Sequence, residues 1–245
     1  MGSSRRPEGA ARRALLFDLD GTLTSGVGGG TRALGRALHA RPQAAEELRK
    51  MRLDGMTDRS IARIVLAAEG DQRVPLEERM KGVAEAEIDA VLERYIEALA
   101  TECAQNPYIA LPGVAELLQR LQSRTDAILG LCTGNHARGA ELKLASAGLW
   151  GPWKFGAYGS DAEPRVEIVR TAWRRAQELG ATEALVIGDT PRDILAAHEA
   201  GIPACGVATG RWTLHDLTAH GADMVTRDFS DPAASERLLL GLLDH

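Results

Sequence analysis

Short apolar runs alternate with longer amphipathic stretches along most of this chain. Ala14-Leu-Leu-Phe17, Ala127-Ile-Leu-Gly-Leu-Cys132, Ala184-Leu-Val-Ile187 and Ala204-Cys-Gly-Val207 are apolar at nearly every position. A strand that reads this way is buried on both faces, as in a parallel sheet covered by helices. Helical patterns follow: Val114 to Ser123, His136 to Ala147, Val166 to Leu179, and closing helices around Leu214 and Leu238. Shorter strands are expected at Phe155–Tyr158 and Asp223–Val225. This alternation predicts an α/β fold with a doubly wound parallel sheet.

One segment breaks the alternation. From Thr31 to about Ala104 the pattern is helical throughout, with turns at Gly70 and Pro75. Ala33, Leu34, Ala37 and Leu38 recur at helix spacing, as do Ile61, Ile64 and Val65. Ile88, Val91, Leu92, Tyr95, Ile96 and Leu99 form an amphipathic stripe. The expected division is a core of residues 13–24 and 109–245, an all-helical insert over 25–108, and a disordered tail over 1–12, rich in Arg, Gly and Ser. Ser25-Gly-Val-Gly-Gly-Gly30 reads as a hinge, since its spacing departs from a dinucleotide-binding loop. Asn106 to Gly113 would be the return hinge.

The polar residues sit at the ends of the apolar runs. Asp18-Leu-Asp-Gly21 follows the first, Thr133-Gly-Asn135 the second and Gly188-Asp-Thr-Pro-Arg-Asp193 the third. In an open α/β sheet, ligands bind at the carboxyl ends of the strands. Asp18 and Asp20 can share that crevice, and Asp189 and Asp193 can join them if Pro191 starts a helix. Clustered carboxylates repel and raise one another's pKa unless a cation shares the site. Asp-x-Asp-Gly alone also fits a calcium loop or an ordinary turn; the repetition at three strand ends favours metal-assisted chemistry.

With these segments in this order, the chain resembles the haloacid dehalogenase superfamily of phosphohydrolases. Asp18-Leu-Asp-Gly-Thr-Leu23 matches that family's first motif, Thr133 the second and Gly188 to Asp193 the fourth. The third motif is usually a Lys ahead of a helix. Arg165 stands nearest that place, and its planar fork is not equivalent to an ammonium; Lys154 is the alternative. The resemblance implies a Rossmann-like core with an inserted helical cap, and Mg2+ as cofactor, held by Asp18, the carbonyl of Asp20, Asp189 and Asp193. It implies that Asp18 is a nucleophile forming an acyl-phosphate and Asp20 the general acid and base. Thr133 and amides near Thr22 and Gly134 would bind phosphoryl oxygens, and Arg165 would balance their charge. Leu53 to Arg59 resembles a cap segment that faces the site, so Asp58 and Arg59 are candidates to read the leaving group, with Arg52 a further one. Solvated helix-end charges remain the alternative for each. Asn135 is expected to cap the next helix rather than to bind substrate.

The layout is similar to phosphoglycolate phosphatase-like members, which implies a small phosphate ester as substrate. A β-phosphoglucomutase-like mutase would share every core residue, but such mutases carry a His in the first hinge. Here that place reads Gly28-Gly-Gly-Thr31, and the first His after Asp18 is His39, inside a predicted helix. A non-catalytic binding protein would be signalled by loss of Asp18 or Asp20, and both are present.

Composition narrows the setting. The formal net charge is −5 with both signs interspersed, which is no nucleic-acid footprint. No stretch approaches the ~18 apolar residues of a membrane span. Cys103, Cys132 and Cys205 show neither metal nor disulfide spacing, so reduced thiols and a cytoplasmic location are expected. Cys132 reads as a small buried hydrophobe. A monomer or homodimer is expected.

Overall fold

The computed structural model describes residues 12–241. The chain starts with β1 (Arg13–Phe17) and a two-residue strand β2 (Thr24–Ser25). Five helices follow: α1 (Gly29–Ala37), α2 (Pro42–Lys50), α3 (Asp58–Ala67), α4 (Leu76–Gly82) and α5 (Glu85–Gln105). The short strand β3 (Ile109–Ala110) returns antiparallel to β2, with Thr24 opposite Ala110. The rest alternates: α6 (Val114–Gln122), β4 (Ala127–Thr133), α7 (Ala137–Ser146), β5 (Phe155–Tyr158), α8 (Arg165–Glu178), β6 (Glu183–Gly188), α9 (Pro191–Glu199), β7 (Ala204–Val207), α10 (Leu214–Ala219), β8 (Met224–Thr226) and α11 (Pro232–Leu240).

Six strands form one sheet in the order β5-β4-β1-β6-β7-β8, every neighbouring pair parallel. β1 lies between β4 and β6, so the three motif-bearing strand ends are adjacent. Alternate residues of β1 supply the two faces. Leu15 and Phe17 pack with α6, α7 and α11, while Ala14 and Leu16 pack with α8, α9 and α10. Each such Leu or Phe contributes about 1.5–3 kcal/mol by leaving water. The helical stretch has its own core, built from the stripes of α1, α2, α3 and α5.

The turn chemistry follows the sequence. Pro191 opens α9, and Thr190 with Asp193 closes a capping box around its first turn. His39 falls in the turn after α1, not in the helix as expected, and its Nδ1 faces the Arg36 carbonyl. Of the expected tail, only Arg12 lies within the described residues. It is tied to the core, its amide donating to Thr182 Oγ1 at 3.1 Å and its guanidinium to the Leu179 carbonyl. Among the described residues no helix is long and apolar enough to cross a membrane.

Candidate functional site

Asp18 follows the last residue of β1, and its amide donates to the Ile187 carbonyl at 2.8 Å. That bond ties the end of β1 to β6, next to which Asp189 emerges. Asp18, Asp189 and Asp193 are all buried, and one oxygen from each lies within 4.8 Å of the others. Burial pushes Asp18 up to about 6 against the pull of Arg165, with Asp193 and Asp20 adding repulsion. Burial likewise holds Asp189 well above the usual carboxylate range, with Asp193 and Asp18 next in effect. Three crowded hard-oxygen donors fit a divalent cation. Space is kept beside Asp189: a Cβ on Gly21 or on Gly210 would come within 2.4 or 1.9 Å of its Oδ2.

Arg165, the first residue of α8, reaches this cluster. Its Nη2 donates to Asp18 Oδ1 at 2.8 Å and also to Asp193 Oδ1. The other oxygen of Asp193 takes the Thr190 amide and hydroxyl. Asp193 is therefore both a helix-capping carboxylate and a member of the cluster. Lys154, the alternative cation, lies elsewhere. Its amide donates to the Leu129 carbonyl near the start of β4, and it lines a separate cavity with Arg12 and Arg124.

Asp20 points the other way. Its Oδ2 accepts from Lys143 Nζ at 2.6 Å and from Asn135 Nδ2 at 2.9 Å, and Lys143 also donates to Asn135 Oδ1 at 2.5 Å. Nothing in the sequence singles out Lys143, which looks like one more charge on an amphipathic helix. Burial pulls its pKa down, yet Asp20, then Tyr95, Tyr108 and Asp58, hold the ammonium well above its ordinary range. Asn135 is not the cap of α7. His136 holds that place, accepting from the Arg138 amide, which releases Asn135 to bridge Thr133, Asp20 and Lys143. Thr133 Oγ1 accepts from the Asn135 amide and Nδ2, so its own proton is free to donate.

A cavity of about 350 Å3 joins these groups, lined by Asp18, Asp20, Thr133, Gly134, Arg165 and Asp189 below and by the helical segment above. Asp58 lines it too, but its Oδ2 accepts the His136 amide at 2.8 Å and its own amide donates to the Gly134 carbonyl. Arg59 does not reach the cavity: Asp89 at 2.7 Å and Glu85 on α5 draw it outward. Arg52 stays on the exposed surface. Thr22 is a correction as well. It is absent from the cavity wall, its amide donates to the Leu19 carbonyl and its hydroxyl faces Asp189 Oδ1 at 3.4 Å. The tight turn after Asp20 takes the amide, and Asp189 takes the hydroxyl. Cys132 is buried in β4, and burial pushes its thiol up to about 12, as fits an inert core residue.

The parallel sheet with clustered acids at the ends of β1 and β6 agrees with what known proteins show. The sequence profile of the haloacid dehalogenase-like hydrolases matches residues 12–201, and the chain belongs to that family. Within it, the chain is an enzyme of the phosphatase kind. It is 29% identical over 233 residues to "Probable phosphatase IndB" of Dickeya dadantii, covering 93% of this chain and 95% of that protein. It is 30% identical over 235 residues to the phosphoglycolate phosphatase of Caulobacter vibrioides, covering 92% and 91%. The crystal structure of a hydrolase from Pseudomonas syringae superposes with a TM-score of 0.68 at 26% identity, over 90% of this chain and 96% of that one.

Proposed function

We propose that the chain is a magnesium-dependent phosphatase that hydrolyses a small phosphorylated metabolite through an aspartyl-phosphate. The observation that carries this reading is the buried Asp18, in contact with Arg165 and opening onto the same cavity as Asp20. A carboxylate oxygen of Asp18 attacks phosphorus, and the bond to the leaving oxygen breaks. Asp20 gives that oxygen its proton, then takes one from the water that cleaves the acyl-phosphate, worth roughly 10²–10⁴-fold. Lys143 and Asn135 fix the carboxyl of Asp20 for both transfers. Thr133 and the Gly134 amide hold phosphoryl oxygens, and Arg165 balances their charge. Asp18, Asp189 and Asp193, with the Asp20 carbonyl, would hold magnesium, which when bound offsets the repulsion between Asp18 and the phosphoryl group.

The helical segment acts as a cap, its Arg63 pairing with Glu163 of the core at 2.9 Å and Thr57 donating to the Glu163 carbonyl. A cavity of about 350 Å3 between this segment and the sheet favours a small ester. A mutase reading is not favoured, because His39 lies outside the cavity wall. We place the enzyme in the cytoplasm, where its three free cysteines would stay reduced.

The test is phosphate release from p-nitrophenyl phosphate and a panel of phosphorylated metabolites, with magnesium, with EDTA and with Asp18→Asn. Magnesium-dependent release that the variant lacks is the expected result. Equal release by parent and folded variant would refute the assignment.

A further inference from the structure

Part of the cavity wall extends past the groups that would meet the phosphoryl oxygens. Beyond Asp20 it is formed by the start of α1, by α5, by Tyr108 and by α7. Three polar ends converge there: a Cβ built on Gly30 would lie 3.6 Å from each of Lys143 Nζ, Tyr95 OH and Tyr108 OH. All three side chains are buried, and they come from three separate stretches of chain. Gly30 leaves open the volume they face. Burial holds Tyr95 well above the usual phenol range and Tyr108 up to about 12, so both hydroxyls keep their protons and can donate as well as accept. Of the three donors of Lys143, Asp20 and Asn135 take two.

The charge around this space is decisive. The cations lining the cavity are Lys143, Arg165 and Arg211. Each already faces a carboxylate of the chain: Asp20 at 2.6 Å, Asp18 at 2.8 Å and Asp54 at 3.2 Å. Asp58 and Asp189 add further acid to the same wall. A leaving group bearing its own carboxylate would find no uncommitted cation among the residues lining the cavity, and burying it unpaired is costly. A hydroxylated neutral group meets matching donors and acceptors.

We infer that Lys143, Tyr95 and Tyr108, facing Gly30, form a leaving-group subsite for a neutral, hydroxyl-bearing moiety, so that the enzyme prefers phosphate esters of polyols or sugars to those of hydroxy acids. This rests on the phosphatase reading above.

Glycerol 3-phosphate and 3-phosphoglycerate form a matched pair, differing in a hydroxymethyl group against a carboxylate. The expected kcat/KM is at least about tenfold higher for glycerol 3-phosphate, with phosphoglycolate grouped with the acid. Equal or better turnover of 3-phosphoglycerate or phosphoglycolate overturns the subsite while leaving the phosphatase reading intact, provided p-nitrophenyl phosphate is still cleaved through Asp18. No Asp18-dependent release from any ester overturns both. Tyr95→Phe and Gly30→Ala then locate the effect. A methyl at Gly30 makes only ordinary contacts, so that variant folds, and thermal melts check both. Tyr95→Phe is expected to lose about fivefold or more in kcat/KM on glycerol 3-phosphate, the scale of one hydrogen bond; Gly30→Ala, whose methyl fills the space the three polar ends face, is expected to lose about as much, and both lose less on p-nitrophenyl phosphate. Equal losses on the two esters overturn the assignment.

Discussion

Arg165 secures two buried carboxylates with one nitrogen, and this gives a quantitative test of its role. Nη2 alone contacts both Asp18 and Asp193, while Nε is buried with no partner. Arg165→Met removes the charge and leaves two acids uncompensated, their side chains 6% and 1% exposed. Removing one partner of a buried pair costs about 3–5 kcal/mol. At about 2–4 °C per kcal/mol for a chain of this size, the melting temperature falls by about 6–20 °C. Arg165→Lys behaves differently. An ammonium can stand where Nη2 stands, and the orphaned Nε, a penalty of about 1–3 kcal/mol, disappears. Shorter reach and lost packing offset that gain, so the lysine variant melts within about 4 °C of the parent. Thermal unfolding followed by circular dichroism, in EDTA so that no divalent cation substitutes for the lost charge, measures both. If Arg165→Met melts with the parent, the carboxylates need no counter-charge and the electrostatic account is wrong. If Arg165→Lys melts with Arg165→Met, the fork itself matters and the single-nitrogen account is wrong.

Two further outcomes concern stability. Glu102 is fully buried beneath Arg32 at 2.6 Å and Arg36 at 2.7 Å, and the Arg32 contact holds its carboxyl below the ordinary 4.5. A depressed folded pKa adds stability above the unfolded value and loses it as pH falls through the folded one. Glu102→Gln should therefore be less stable at pH 7 and lose less than the parent between pH 7 and 3; equal losses in urea midpoints would discard the idea. Gly113 sits at φ +76° with a would-be Cβ 1.6 Å from the Phe229 carbonyl oxygen, so Gly113→Ala should cost more than about 2 kcal/mol in denaturant titration.

The α/β alternation was legible because each core strand is apolar at nearly every position and each ends in a polar turn. The sheet order was not, since pairing of β1 with β4 and β6 joins segments more than a hundred residues apart. Asp18, Asp189 and Asp193 were legible because strand ends and Pro191 dictate where they point. Lys143 was hidden two turns into α7, where only the fold brings it to Asp20. Arg59 misled for the opposite reason: the sequence gives its helix position but not the acids of α5 across from it. Asn135 misled because a neighbour, His136, could also cap.

The ribbon of β2 and β3 has a consequence for how such an enzyme diversifies. Ser25 stands directly across from Ile109, so the chain leaves the core and re-enters it at facing positions of one antiparallel pair. Facing residues in such a pair are about 4.5–5.5 Å apart, a gap that a two-residue turn closes. Everything between them hangs from a single doorway. Exchanging or resizing that segment leaves the register of the large sheet untouched and adds little closure entropy, since each doubling of a loop costs only about 0.6 kcal/mol. Asp18 and Asp189, anchored on the far side of the doorway, would keep their chemistry while the roof above them is rebuilt for another guest.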